Sequence, residues 1–140
     1  MKTFAHTRVI SATPAQVFAA MSHPERLARW WGPAGFSNTF EVCELRAGGR
    51  WAFTMHGPDG KNYPNESLFL EVSAPERMVI QHVSEPVFRL TIALEPCAGG
   101  TRVHWEQAIE NDAFAENAAH ILQPSNEQNL DRLTQEVLGA

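Results

Sequence analysis

Apolar and polar positions change period along the chain, and the changes mark out its elements. Residues 3 to 11, TFAHTRVIS, mix apolar and polar side chains on both faces, a pattern suited to a strand at a sheet edge. Thr13-Pro14-Ala15-Gln16 then offers a hydroxyl cap, a proline at the first helical position and a glutamine three residues after the cap. Together these satisfy the orphan amides of a helix start, so a short helix is expected over about 14 to 22. His23-Pro24 opens a second helix, in which Leu27, Trp30 and Trp31 form a single apolar stripe before Gly32-Pro33 ends it.

From residue 39 the period falls from about 3.6 to 2, the signature of strands. Trp51, Phe53 and Met55 alternate with Arg50, Ala52, Thr54 and His56, which buries one face and wets the other. Strands are expected over 39 to 46, 50 to 56, 65 to 73, 77 to 84, 87 to 95 and 101 to 109. Gly48-Gly49, Gly57-Pro58-Asp59-Gly60, Ala74-Pro75, Glu85-Pro86 and Cys97-Ala98-Gly99-Gly100 separate them as turns. Residues 113 to 122 hold at most a helical turn or two, Pro124 interrupts, and Ser125 or Asn126 caps a final helix to about 138 with Leu130, Leu133 and Val137 on its apolar side. Glu127, Asp131, Arg132 and Glu136 read as that helix's wet face.

This order implies an α+β fold in which a seven-stranded antiparallel sheet carries two short helices and a long C-terminal helix across its concave face. The mismatch in curvature between a twisted sheet and a straight helix leaves a gap, and such gaps become ligand cavities. The 140 residues, 44% of them apolar, suffice for one core and read as a single domain over 1–140. A net charge of −5 argues against a nucleic-acid partner, whose binding rests on clustered positive charge. No apolar run has the length of a membrane span and the start lacks a signal-peptide core, so a cytoplasmic protein is expected, with Cys43 and Cys97 as reduced thiols.

The stretches SATPAQVF, HPERLARWWGPAGF, LRAGGRWAFTMHGPDG, APERMVI, GGTRVHW and NEQNLDRL resemble the bacterial single-domain homologues of the Hsp90 ATPase activator, within the START-like superfamily that includes Bet v 1 and the polyketide cyclases. The likeness spans nearly the whole chain and implies a helix-grip fold with a hydrophobic pocket between sheet and helix. It does not imply one activity, because a fold hosts many. The eukaryotic activator contacts its chaperone largely through a separate N-terminal domain, and this chain begins at the first strand of the START-like unit, so contact with Hsp90 is not expected. Many relatives carry Gly-Trp near the start of the last helix where this chain has Asn126-Glu127-Gln128-Asn129, which implies a more polar pocket mouth.

The pocket is expected to draw Trp31 from the turn after the second helix, and Phe53, Met55, Leu70, Ile80, Leu90 and Trp105 from the strands. Leu130 and Leu133 are expected to cover it. Three polar groups are candidates to orient a ligand. His82 shares a face with Met78 and Ile80, although a core histidine bonded to backbone explains it as well. Gln107 shares a face with Trp105 and Ile109, and Asn126 serves equally as a helix cap.

His6, His23, His56, His82, His104 and His120 show no metal-ligand spacing, so neither a metal nor a cofactor is expected. GxSxG and local catalytic-cysteine signatures are absent too. The leading reading is therefore the binding of a small hydrophobic or aromatic molecule without catalysis. Two alternatives stand beside it: a cyclase- or hydrolase-type enzyme with His82 as general base and Gln107 orienting substrate, and a stress-associated interaction module of the co-chaperone kind. Exposed sheet edges would also suit a homodimer.

Overall fold

Seven strands form one antiparallel sheet in the computed structural model, which describes residues 1–139. They are β1 (Lys2–Ile10), β2 (Ser37–Cys43), β3 (Arg50–His56), β4 (Asn62–Ser73), β5 (Arg77–His82), β6 (Phe88–Cys97) and β7 (Gly100–Ile109). The spatial order is β1-β7-β6-β5-β4-β3-β2, a continuous meander closed at one side by the first strand. β1 is thus an edge, as its mixed faces led us to expect. Inward and outward positions alternate cleanly on β7, where Val103, Trp105, Gln107 and Ile109 are buried between more exposed neighbours.

On β4 the alternation slips. The pairing with β5 runs from Phe69 opposite Ile80 to Glu71 opposite Val79, leaving Leu70 as the extra residue of a bulge. Ser67 and Phe69 point inward ahead of it, whereas Leu70, expected to line the pocket, turns out to solvent at 40% exposure.

Helix α1 (Pro14–Met21) begins in the capping box that the sequence specifies: Gln16 N–H donates to Thr13 Oγ1 at 3.2 Å and Thr13 N–H to Gln16 Oε1 at 2.9 Å. Helix α2 (Pro24–Trp30) follows, with Trp31 as its C-terminal cap residue. Helix α3 differs from expectation, because it runs unbroken from Asp112 to Gly139 with Pro124 inside it. Asn111, one residue earlier, accepts the Phe114 amide at 3.0 Å and caps the start. Pro124 removes one amide donor from the ladder, but it lies on the exposed side, and packing on both flanks holds the helix together. Ala115 is buried with Phe4 and Ile109 before the proline, and Leu130 and Leu133 join the main core after it.

Aromatic side chains fill that main core. Trp51 stacks on Phe53 at 4.2 Å and on Phe69 at 5.3 Å between ring centres, and Trp31 meets Trp51 edge-on at 4.9 Å. Trp30 donates its indole N–H to the Ala20 carbonyl at 2.8 Å, so its one polar atom is satisfied while the ring is buried. By area alone each buried indole contributes roughly 4–6 kcal/mol toward holding α2 and α3 against the sheet, an upper bound. Among the described residues no helix is long and apolar enough to cross a membrane.

Candidate functional site

The sheet and α3 do not close completely. Between them lies a cavity of about 200 Å³. The sheet supplies Phe53 and Met55 from β3, Leu90 from β6, and Trp105 and Gln107 from β7. Helix α3 covers these with Leu122, Ser125, Asn126 and Asn129, and the turn after α2 adds Trp31, Gly32 and Pro33. Asn65, His82, Pro86 and Phe88 complete the wall. None of these side chains is charged at neutral pH unless His82 takes up a proton, so the walls suit an uncharged guest.

Eight of the twelve residues expected at the site meet here: Trp31, Phe53, Met55, His82, Leu90, Trp105, Gln107 and Asn126. Four do not. Leu70 alternates with the inward Phe69 and so faces solvent. Ile80, Leu130 and Leu133 lie on the expected inner faces but are spent on the solid core beside the cavity.

Asn126 is no cap, since α3 is already well under way there. It is buried and links two strand residues: Trp105 Nε1–H donates to Asn126 Oδ1 at 3.1 Å, and Asn126 Nδ2–H donates to Gln107 Oε1 at 3.0 Å. The helix is thereby tied to β7 by side chains that also form the cavity wall.

His82 is buried against Phe88, their rings stacked 4.6 Å apart. Nδ1 lies 2.7 Å from the Pro86 carbonyl oxygen and Nε2 lies 2.6 Å from Asn65 Oδ1. Only a doubly protonated ring would donate to both oxygens. Burial opposes that charge and dominates, holding the pKa below its ordinary value, while hydrogen bonds to backbone at Pro86 and Ser84 pull the other way.

The turn that borders the cavity is held from α3. Gly32 has φ +97°, a left-handed conformation that favours glycine, and the Met55 methyl lies close to where a Cβ would stand. Its amide donates to Asn129 Oδ1 at 3.2 Å, and Asn129 Nδ2 donates to the Trp30 carbonyl at 2.8 Å. Arg132, expected on the wet face, is half-buried instead. Its guanidinium donates to the carbonyls of Arg29, Trp31, Gly32, Pro33 and Phe36 at 2.8 to 3.1 Å, and burial lowers its pKa from the ordinary arginine value. Glu127 and Asp131 both pair with Arg8 of β1, and Glu136 pairs with Arg26 and Arg29. These charges dock the helix rather than only solvate it.

Sequence reading overlooked Asn65, Phe88, Leu122 and Asn129 as wall residues. The first two were available by parity, Asn65 with Ser67 and Phe88 with Leu90. Leu122 lies outside a helix that starts after Pro124, the expected boundary. Among the described residues no three His, Cys, Asp or Glu side chains converge as a metal site would require.

An antiparallel sheet gripping a C-terminal helix over an apolar hollow places the protein in the START-like class. Within it, the family of activator of Hsp90 ATPase homolog 1-like proteins matches residues 11–137, and the chain belongs to that family. No curated protein matches the chain. Solved structures do. A protein from Arthrobacter aurescens is 25% identical with a TM-score of 0.88, over 99% of this chain and 87% of that one. A protein from Nitrosomonas europaea, 22% identical, has a TM-score of 0.86 and covers 96% of this chain and 93% of its own. A protein from Chromobacterium violaceum is 25% identical with a TM-score of 0.82, over 96% of each.

Proposed function

We propose that the protein binds a small, uncharged aromatic or apolar molecule in the cavity between sheet and α3, without catalysing its conversion. The observation that carries this reading is the cavity itself, about 200 Å³ walled by Trp31, Phe53, Phe88 and Trp105 with no carboxylate, lysine or arginine in it. An apolar cavity of about 150 Å³ already takes benzene, so a one- or two-ring molecule is the right scale here. His82 supports binding over catalysis, because protein oxygens of Pro86 and Asn65 lie within 2.7 Å of its two ring nitrogens and occupy the positions a substrate atom would need.

The test is thermal unfolding and native mass spectrometry of the purified protein with a panel of one- and two-ring aromatic compounds. A ligand present at about a hundred times its Kd stabilises by about 2.7 kcal/mol, roughly 5–10 °C for a chain of this length. Binding should also change tryptophan emission, since Trp31 and Trp105 line the cavity. A panel in which nothing raises the midpoint or travels with the protein rejects the reading.

A further inference from the structure

We infer that the cavity selects a ligand bearing a hydrogen-bond acceptor over one bearing a donor, and that the indole of Trp105 sets this preference through Asn126 and Gln107. The inference rests on the ligand-binding reading and specifies the polar chemistry of the guest.

An indole N–H can only donate. Trp105 Nε1–H meets Asn126 at 3.1 Å, so the atom it meets must be the amide oxygen. That choice leaves Asn126 to present Nδ2, which donates to Gln107 at 3.0 Å and so must face Oε1. Each amide is therefore fixed by the one before it, and the end of the relay is Gln107 Nε2. This NH₂ group has no partner among the described residues, and its side chain lines the cavity. A guest that supplies an acceptor gives this donor a partner inside the cavity and gains about one net hydrogen bond, which a guest without one does not.

The other polar side chains of the wall do not counter this bias. Asn129 spends Oδ1 on the Gly32 amide and Nδ2 on the Trp30 carbonyl. Asn65 Nδ2 donates to the Tyr63 carbonyl at 2.7 Å and its Oδ1 faces His82, whose other nitrogen faces Pro86. The Ser125 hydroxyl can donate or accept and so does not discriminate. What remains unmatched on the amides is N–H.

The experiment compares three compounds of similar size by tryptophan fluorescence titration: toluene with no polar group, benzonitrile with an acceptor, and aniline with N–H donors. The wild-type protein should bind benzonitrile about 3- to 10-fold more tightly than toluene, the effect of one net hydrogen bond, and aniline no better than toluene. Gln107→Leu should bring toluene and benzonitrile within about 2-fold of each other. Asn126→Asp, at pH 8, should reverse the order. Its carboxylate accepts from Trp105 and again from Gln107, which must then turn Nε2 toward the helix and Oε1 toward the cavity, favouring aniline. If all three compounds bind with no preference for the acceptor, or if Gln107→Leu keeps the preference, the relay is refuted while the cavity stands. If none binds at millimolar concentration, the ligand-binding reading falls first and takes this one with it.

Discussion

His82 sits between two acceptor oxygens in a place too dry for the charge that would satisfy both. Its folded-state pKa is lowered by burial, so as pH falls the unfolded chain takes up the proton first. The stability this residue contributes is therefore complete above about pH 6.5 and is lost below it, down to the pH at which the folded ring itself protonates. Following the ring by NMR should give a midpoint below about 6.5, and thermal midpoints of His82→Gln should fall less between pH 7 and 5 than those of the wild type. A ring that titrates above that value would show that the oxygens outweigh burial. Cys43 is the other residue whose chemistry burial suppresses: its thiol pKa is pushed up to about 11, leaving almost no thiolate at neutral pH.

At the scale of elements, α3 carries the largest departure from what the residues suggested. Proline in the middle of a helix costs about 3 kcal/mol relative to alanine, yet here tertiary contacts on both flanks outweigh it. Pro124→Ala should accordingly raise the unfolding free energy by about 1–3 kcal/mol in urea denaturation, because the ring lies on the exposed side of the helix. A neutral or destabilising result would mean that the fixed φ of the proline offsets the hydrogen bond it removes. The strands and both short helices were legible because alternation, caps and Gly/Pro turns are local signals that agree with one another. The site was legible only in part. Parity tells which face a residue is on, so Phe53, Met55 and Leu90 were found, but it does not tell depth, so Ile80, Leu130 and Leu133 were drawn in with them. Nor does it survive a bulge: Leu70 shares parity with Val72, which packs on the core, yet the bulge between Phe69 and Glu71 leaves Leu70 facing out.

Across the whole molecule, the side chains of α3 are its main fasteners, and they are distributed unevenly. Beyond the proline the helix ties itself to β1 through Arg8, to α2 through Glu136 and to the α2–β2 turn through Arg132. Glu136 has its pKa lowered, first by its hydrogen bond to Arg29, so its ties to Arg29 and Arg26 hold above the carboxylate range and loosen as acid protonates it. The Arg132 contacts were invisible to sequence because they end on backbone carbonyls, which leave no trace in residue type. Lysine keeps the charge but not the planar fork that reaches five oxygens. Arg132→Lys should therefore cost about 1–3 kcal/mol of unfolding free energy, measured in urea, with the loss concentrated in slower-exchanging amides of residues 31 to 36 becoming fast. A cost below about 0.5 kcal/mol would mean that the guanidinium contributes nothing net.

The half of α3 that precedes Pro124 is held differently: the N-terminal ammonium pairs with Asp112, and Ala119 and Leu122 pack against the small cluster of Phe4, Ile109 and Ala115. Leu122 hangs from that half over the hollow, whereas Asn126 and Asn129 hang from the pinned half. The two halves of the helix are thus held by different means, apolar packing and a terminal ion pair before the proline, buried amides and arginine pairs after it. A substitution before Pro124 therefore reaches the hollow through Leu122, and one after it through Ser125, Asn126 and Asn129.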